Sequence, residues 1–256
     1  VRLLDVIGST ARRLRGFPPR DERQARFITR ESLAWMRTHG AYSRGYWVTF
    51  WRLFLLRVRR PDIITEGMVF IGPDVVLDVR RGYARLIIGK WVHIGEQCRI
   101  RVHEGNVRIG DKCVFGRDVT INSYLDIEIG TTSLIADSTY ICDFDHDHRD
   151  LSVPIKDQGL VKSPVRIGPD VWIGTKSTVL RGSSIGHGSV VGANSVVKGA
   201  LPAYSVSVGV PAVPVKSRRP LSVKRTEVKD SRFVVCSICI YTCPVVASRS
   251  ANRPST

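Results

Sequence analysis

Two histidines and four aspartates crowd one short stretch: Asp143, Asp145, His146, Asp147, His148 and Asp150. An imidazole titrates near neutrality, so either histidine can take a proton from a hydroxyl as that oxygen attacks, and a neighbouring carboxylate can orient the ring. Asp143, Asp145 and Asp147 are the acids close enough in sequence for that second task. The same histidines also suit a metal, because His93 and His103 raise the supply to four and a catalytic zinc needs three converging ligands. Acid-rich loops are also ordinary solvated surface, so the stretch takes its meaning from what carries it.

The carrier is a solenoid. Ile167, Ile173, Val179, Ile185, Val191 and Val197 recur every six residues, and Gly168, Gly174, Gly186 and Gly192 directly follow four of them. A helix repeats near 3.6 and a half-buried strand at 2, so this period fits short straight segments separated by corners. The same phase recurs at Ile129, Ile135 and Ile141, at Ile109, Phe115 and Ile121, and at Ile88, Ile94 and Ile100. Each triplet makes the three sides of one triangular coil. Two places before each aliphatic stands a small or β-branched residue, among them Cys98, Cys113, Ser133, Thr139, Ser177, Ser183 and Ser189, as a narrow interior requires. The hexad glycines are expected to take positive φ at the corners.

The fold class is therefore mainly β: a parallel β-helix entered near Val69–Ile71 and left near Val208–Val213, with an N-terminal helical segment. Rungs about 4.8 Å apart over about six or seven coils make a prism roughly 30 Å long. The meter breaks once, where Ile141 and Ile167 stand 26 positions apart instead of six. A regular solenoid that throws out one long loop does so for binding or catalysis. That loop, 142–166, carries His146 and His148.

The segment SPVRIGPDVWIGTKSTVLRGSSIGHGSVVGANSVVKGALPAYSVSVGVPAVPVK, with the rungs and histidine loop ahead of it, resembles the hexapeptide-repeat acyltransferases. The nearest branches are the galactoside and maltose O-acetyltransferases and the O-acetyltransferases of polysaccharide biosynthesis. The resemblance implies a left-handed β-helix, a homotrimer with clefts between adjacent prisms, acetyl-CoA as acyl donor without a metal, and direct transfer to a carbohydrate hydroxyl. It implies His146 as the base, with His148 as runner-up two residues on. For the tetrahedral intermediate it points to Thr175 or its neighbouring backbone N–H. For coenzyme A it points to Trp172 beside the pantetheine arm and to the backbone at Ala193 and Ser195. Lys198 and Lys216, with Arg218, stand in for phosphate-binding cations that relatives place where this chain has Gly199 and Val213. Asp118, Asp145 and His148 fall on the acceptor side. Gly116, beside Arg117, replaces a sugar-contacting Asn of galactoside enzymes, which counts against a galactoside or maltose acceptor.

The remaining sequence is attachment. A net charge of +16 predicts attraction to anionic partners, and with this resemblance those are phosphorylated ligands or lipid rather than nucleic acid. Val1–Gly16 has uncharged runs too short for a secretory signal, so a cytoplasmic protein is expected. Within the helical segment 1–60, YWVTFWRLFLLRVRR is too short and too charged to span a bilayer. It reads either as a helix docking its aromatic face on the prism end or a neighbouring subunit, or as one lying on an anionic membrane, with residues 46–60 at the inner face. The β-helix domain runs over 61–213 with the loop inserted. The extension 214–256 is basic and holds Cys236, Cys239 and Cys243, a weak zinc pattern with no evident fourth ligand. Two further classes fit the architecture: a metal-dependent lyase of the γ-carbonic-anhydrase type, and a noncatalytic trimeric scaffold.

Overall fold

A computed structural model describes residues 23–24, 30–41 and 44–219. Val1–Gly16 and the cysteine-bearing extension, with Cys236, Cys239 and Cys243, lie outside the described residues. The aliphatics spaced six apart stack into three columns, one inside each sheet. Ile88, Ile109, Ile129, Ile167, Ile185 and Leu201 are neighbours in a seven-stranded sheet. Ile94, Phe115, Ile135, Ile173 and Val191 align likewise in an eight-stranded sheet, and Leu77, Ile100, Ile121, Ile141, Val179 and Val197 in a six-stranded one. Every pairing in these columns is parallel, and each coil visits the three sheets in the same order. The result is a parallel β-helix. A slip of one residue would turn a whole strand inside out, so the strict hexad is the register device.

The small inward residues have a second task. Cys98 donates its thiol hydrogen to the Gly116 carbonyl at 3.1 Å, Ser177 donates to Gly192 at 2.9 Å and Ser189 to Pro202 at 2.8 Å. Each side chain fits the narrow interior and also donates to a corner carbonyl of the next coil.

The corners correct one expectation. Gly168, Gly174 and Gly192 do not adopt positive φ; that conformation falls two residues later, on Asp170, Lys176 and Asn194, each at φ 55°. The glycines are required by space instead, since a Cβ on Gly174 would stand 2.5 Å from the Ala193 backbone nitrogen. A left-handed non-glycine residue costs on the order of 1 kcal/mol. Here each is held by its own N–H: Asp170 to Thr131, Lys176 to Asp137 and Asn194 to Thr175, all at 2.9 Å.

The first coil begins at Ile64–Thr65, which pairs with Ile87 and Ile88, slightly ahead of the expected entrance. Its open edge presents carbonyls with no preceding rung, a surface on which other strands could add. Arginines cover that edge. Arg52 donates to the carbonyl of Ile71 at 3.1 Å, Arg57 to Gly67 at 2.9 Å, and Arg60 to Leu77 at 3.0 Å and Val79 at 2.7 Å. Arg52 and Arg57 belong to α2 (Arg44–Arg59), which follows α1 (Arg30–Thr38). Leu53 is fully buried, Tyr46 and Phe50 pack on the same side, and Trp35 of α1 meets Phe70 and Trp91 at ring distances of 5.3 and 5.2 Å. So α2 docks on the prism end, and it does so with only one face. Trp47, Val48, Trp51 and Val58 remain exposed on the other. At the far end Ser205–Gly209 is the last parallel strand, and Ala212–Ser217 folds back antiparallel along it. No described helix is long and apolar enough to cross a membrane.

Candidate active site

The strand Tyr140–Cys142 ends a rung of the six-stranded sheet, and the chain leaves the prism where the seven-stranded sheet would resume. Asp143 makes the exit. It is buried, and its carboxylate accepts the Ser123 hydroxyl at 2.7 Å and the backbone N–H groups of Tyr124, Leu125 and Asp126 at 2.8, 2.9 and 2.7 Å. The Asp143 carbonyl accepts the N–H of Ser163, where the loop returns, at 2.9 Å. Beyond this junction Phe144–His146 runs antiparallel to Leu160–Lys162, with His146 opposite Leu160. Arg181 Nε donates to Asp145 Oδ2 at 2.6 Å on one side of this stem, and Lys162 pairs with Glu104 on the other. Tyr124 is packed between the stacked ring of His103 at 4.4 Å and the edge of Phe144 at 4.6 Å.

His146 is exposed at the end of the outgoing stem strand, and among the described residues its ring has no hydrogen bond. His148 places Nδ1 3.2 Å from the His146 carbonyl; a carbonyl only accepts, so Nδ1 is the protonated nitrogen in that contact. The acids expected to orient the imidazole bind elsewhere. Asp143 closes the preceding corner, Asp145 holds Arg181, and Asp147 pairs with Arg149 at 2.9 Å. The hydrogen bonds from Arg149 hold the Asp147 carboxyl well below the usual carboxylate range.

The other predicted residues divide between edges of the prism. Asp118, Thr175 and Ala193 lie on turns where the eight-stranded sheet gives way to the six-stranded one, with the Asp137 turn between Asp118 and Thr175. Asp118 accepts from Arg99 at 3.1 Å. Thr175 gives its hydroxyl hydrogen to the Asp137 carbonyl at 2.8 Å, so its hydroxyl is already engaged. Ser195 faces the interior, its Oγ accepting the Gly209 N–H at 3.0 Å and its carbonyl accepting the Thr178 N–H at 2.8 Å, so its side chain and its carbonyl are both engaged. Trp172 stands half exposed on the outer face of the eight-stranded sheet. Lys198 is exposed at the type of corner from which the loop departs, and Lys216 is exposed on the outermost strand. Arg218 is bound to the Gly188 carbonyl and lies 3.7 Å from Asp170. Within one chain, His146 and Thr175 therefore occupy different edges.

Gly116 also has a local explanation. A Cβ there would stand 2.0 Å from Asp137 Oδ1, the oxygen that accepts the Arg117 N–H at 2.8 Å. The Asp137 carboxylate fills the space an asparagine would need. His93 stacks on Phe70 at 4.1 Å, and burial lowers its pKa. Among the described residues no group of three or more His, Cys, Asp or Glu is placed to hold a metal ion. Cys98 and Cys113 are free and buried, and burial pushes both thiols up to about 11.

Comparison with known proteins agrees with this architecture. The family model of bacterial hexapeptide transferases, six repeats, matches residues 164–199. A probable acetyltransferase of Mycobacterium tuberculosis is 55% identical over 208 residues, which are 81% of this chain and 69% of that protein. The chain belongs to the hexapeptide-repeat acyltransferases. A protein of Escherichia coli named as a lipopolysaccharide biosynthesis O-acetyl transferase is 41% identical to this acyltransferase over 115 residues, 40% of this chain and 59% of that one. The solved N-acyltransferase AntD of Bacillus cereus, in complex with dTDP and 3-hydroxybutyryl-CoA, shares the fold at a TM-score of 0.55 and 23% identity, over 64% of this chain and 88% of that one.

In the acyltransferase, sequence reasoning missed Arg181, Glu104 and Lys162. Periodicity identifies inward positions, and these three point outward. Their partners are also remote: Arg181 lies 36 residues from Asp145, and Lys162 lies 58 from Glu104.

Proposed function

We propose that this acyltransferase is an acetyl-CoA-dependent O-acetyltransferase acting on a carbohydrate hydroxyl of a polysaccharide or glycolipid sugar. The observation that carries the reading is the stem, which interrupts the solenoid and presents the exposed imidazole of His146. The names of the relatives support the acetyl group and the carbohydrate, and the acyl-CoA bound by the Bacillus cereus enzyme supports a coenzyme A thioester as donor.

In the reaction the His146 imidazole takes the proton of the acceptor hydroxyl while that oxygen attacks the thioester carbonyl. The backbone N–H at Thr175 meets the oxyanion of the tetrahedral intermediate. Collapse breaks the carbon–sulfur bond, and the imidazolium returns the proton to the departing thiolate. Trp172, Ala193, the backbone N–H of Ser195, Lys198 and Lys216 hold the coenzyme. Asp118 and His148 lie on the acceptor side, while Asp145, expected there from the resemblance, is engaged by Arg181. Because His146 and Thr175 stand on different edges of one prism, the two halves meet between prisms of a homotrimer. The exposed apolar column Val114, Leu134 and Trp172, on successive rungs, supports such a contact face.

The domain 61–213 is the catalytic prism, with 1–60 and 214–256 as attachments, and the protein works in the cytoplasm at the inner face of an anionic membrane. Support for that contact is the outer face of α2, where exposed Trp47 and Trp51 lie between exposed Arg44 and Arg59. Binding to anionic vesicles should weaken with salt, and equal binding to neutral vesicles would remove the electrostatic part.

Titration calorimetry with acetyl-CoA and turnover of His146→Ala test the central reading together. The expected result is saturable binding of acetyl-CoA that survives in His146→Ala while turnover is lost. Full activity of that variant, or no acetyl-CoA binding by the folded protein, would end it. Loss in His148→Ala alone would move the base to His148.

A further inference from the structure

The stem that carries His146 belongs to none of the three prism sheets; its two strands pair only with each other. An isolated two-stranded hairpin is marginally stable in water, so its position has to be set from outside. Two ion pairs reach it from opposite directions along the prism. Arg181, from a coil after the loop, binds Asp145 on the outgoing strand at 2.6 Å, and Glu104, from a coil before it, binds Lys162 on the returning strand. The corner that supplies Arg181 also ties the stem's base, since the N–H of Gly182 donates to the Ser163 carbonyl at 3.1 Å. Among the described residues the bond to Arg181 is the last between the outgoing strand and the coils, and His146 is the next residue.

We infer that Arg181 and Glu104 are positioning residues, a two-sided clamp that fixes the stem and, through it, the imidazole of His146. This rests on the reading of His146 as the base. It also reassigns Asp145, whose carboxylate serves the clamp rather than the acceptor. Both pairs are partly exposed, so solvent screens them and neither adds much to global stability. A displaced base nevertheless loses rate steeply. The clamp therefore has a signature of its own: a large change in kcat, a small change in stability, and sensitivity to salt.

The test uses full-length protein and follows thiol release from acetyl-CoA, with p-nitrophenyl glycosides as acceptor probes. Hydrogen exchange of the stem amides is measured in parallel. Arg181→Gln should lower kcat about 10-fold or more while KM for acetyl-CoA stays within about 2-fold. Glu104→Gln should lower kcat less, and both variants should lose protection at the Asp145 and Val161 amides, the hydrogen-bonded pair of the stem. The charge-exchanged pair Asp145→Arg with Arg181→Asp should recover most of the kcat lost in Arg181→Asp alone. If both glutamine variants keep wild-type kcat and stem protection while His146→Ala is inactive, the clamp is wrong and the base reading stands. If KM rises and kcat does not change, Arg181 contacts a ligand and the positioning role is overturned. A fully active His146→Ala would remove the base reading, and the exchange data alone would then decide whether the pairs hold the stem. Should Arg181→Gln fail to fold, Asp145→Asn removes the same pair from the stem side and is held to the same kcat and exchange criteria.

Discussion

The coils and the loop they release are held by opposite means. In the coils each aliphatic sits beside equivalents in the rungs before and after it, as Ile135 does between Phe115 and Ile173, and burial enforces the register many times over. In the loop single polar contacts act alone: Asp143 at the exit, Asp145 with Arg181, Lys162 with Glu104 and Asp147 with Arg149. A repeated apolar contact yields a rigid frame, and solitary ion pairs leave a presented group free to meet a ligand. Rigidity and chemistry are thereby assigned to different parts of one chain.

The sharpest way to break this division is to exchange its symptoms. His146→Ala should reduce turnover by roughly 10²- to 10⁴-fold, the range for a general base, with no shift in thermal midpoint. A large drop in the midpoint would mean that the histidine is structural. Ile135→Ala should do the reverse, costing about 2–5 kcal/mol in chemical denaturation through the cavity left in the column. Asp143→Ala tests the joint between the regions. It leaves the Ser123 hydroxyl and three backbone N–H groups without their acceptor, so we expect about 3 kcal/mol and faster hydrogen exchange at 123–126 and in the stem together. Exchange changes confined to one of those segments would separate the joint into two.

Smaller effects sharpen the contrast. Glu104 and Asp147 both have lowered pKa values, chiefly from hydrogen bonds to Lys162 and Arg149. A carboxylate depressed in the folded state stabilises it fully above the ordinary carboxylate pKa and loses that contribution as pH falls toward the lowered value. Acidification should thus loosen the loop before the coils, which amide exchange at successive pH values would reveal. The smallest effect is expected at the coil thiols. With pKa values pushed up to about 11, Cys98 and Cys113 should stay unreactive toward a thiol reagent at neutral pH until the prism is unfolded.

How much of the structure is legible in the sequence depends on how often a feature repeats. The hexad is legible because every rung restates it, and burial of Ile109, Ile129 and Ile173 follows from the same count. The corner glycines are legible but their reason is not: the next coil's backbone excludes a Cβ, while the left-handed residues are Asp170, Lys176 and Asn194. At α2 the pattern offered docking or lipid contact as alternatives, and the structure divides the helix between a docked face and an exposed one. It also turns Arg52 and Arg57, part of the charge that counts against a bilayer span, onto carbonyls of the first coil. Among the acids beside His146, sequence proximity suggested a partner for the ring, yet Asp143, Asp145 and Asp147 each found a stronger donor elsewhere.

By itself, then, the sequence determined the period, the parallel coils, the single interruption and the histidines it carries, because those follow from spacing along the chain. Only the tertiary structure decided that Arg181 and Glu104 grip the stem, that Asp137 excludes a side chain at Gly116, and that His146 and Thr175 stand on different edges. Those facts depend on which outward side chains a coil brings together across dozens of residues. Electrostatic partners are selected by distance in space, and an outward position in a hexad leaves no periodic mark of its neighbour.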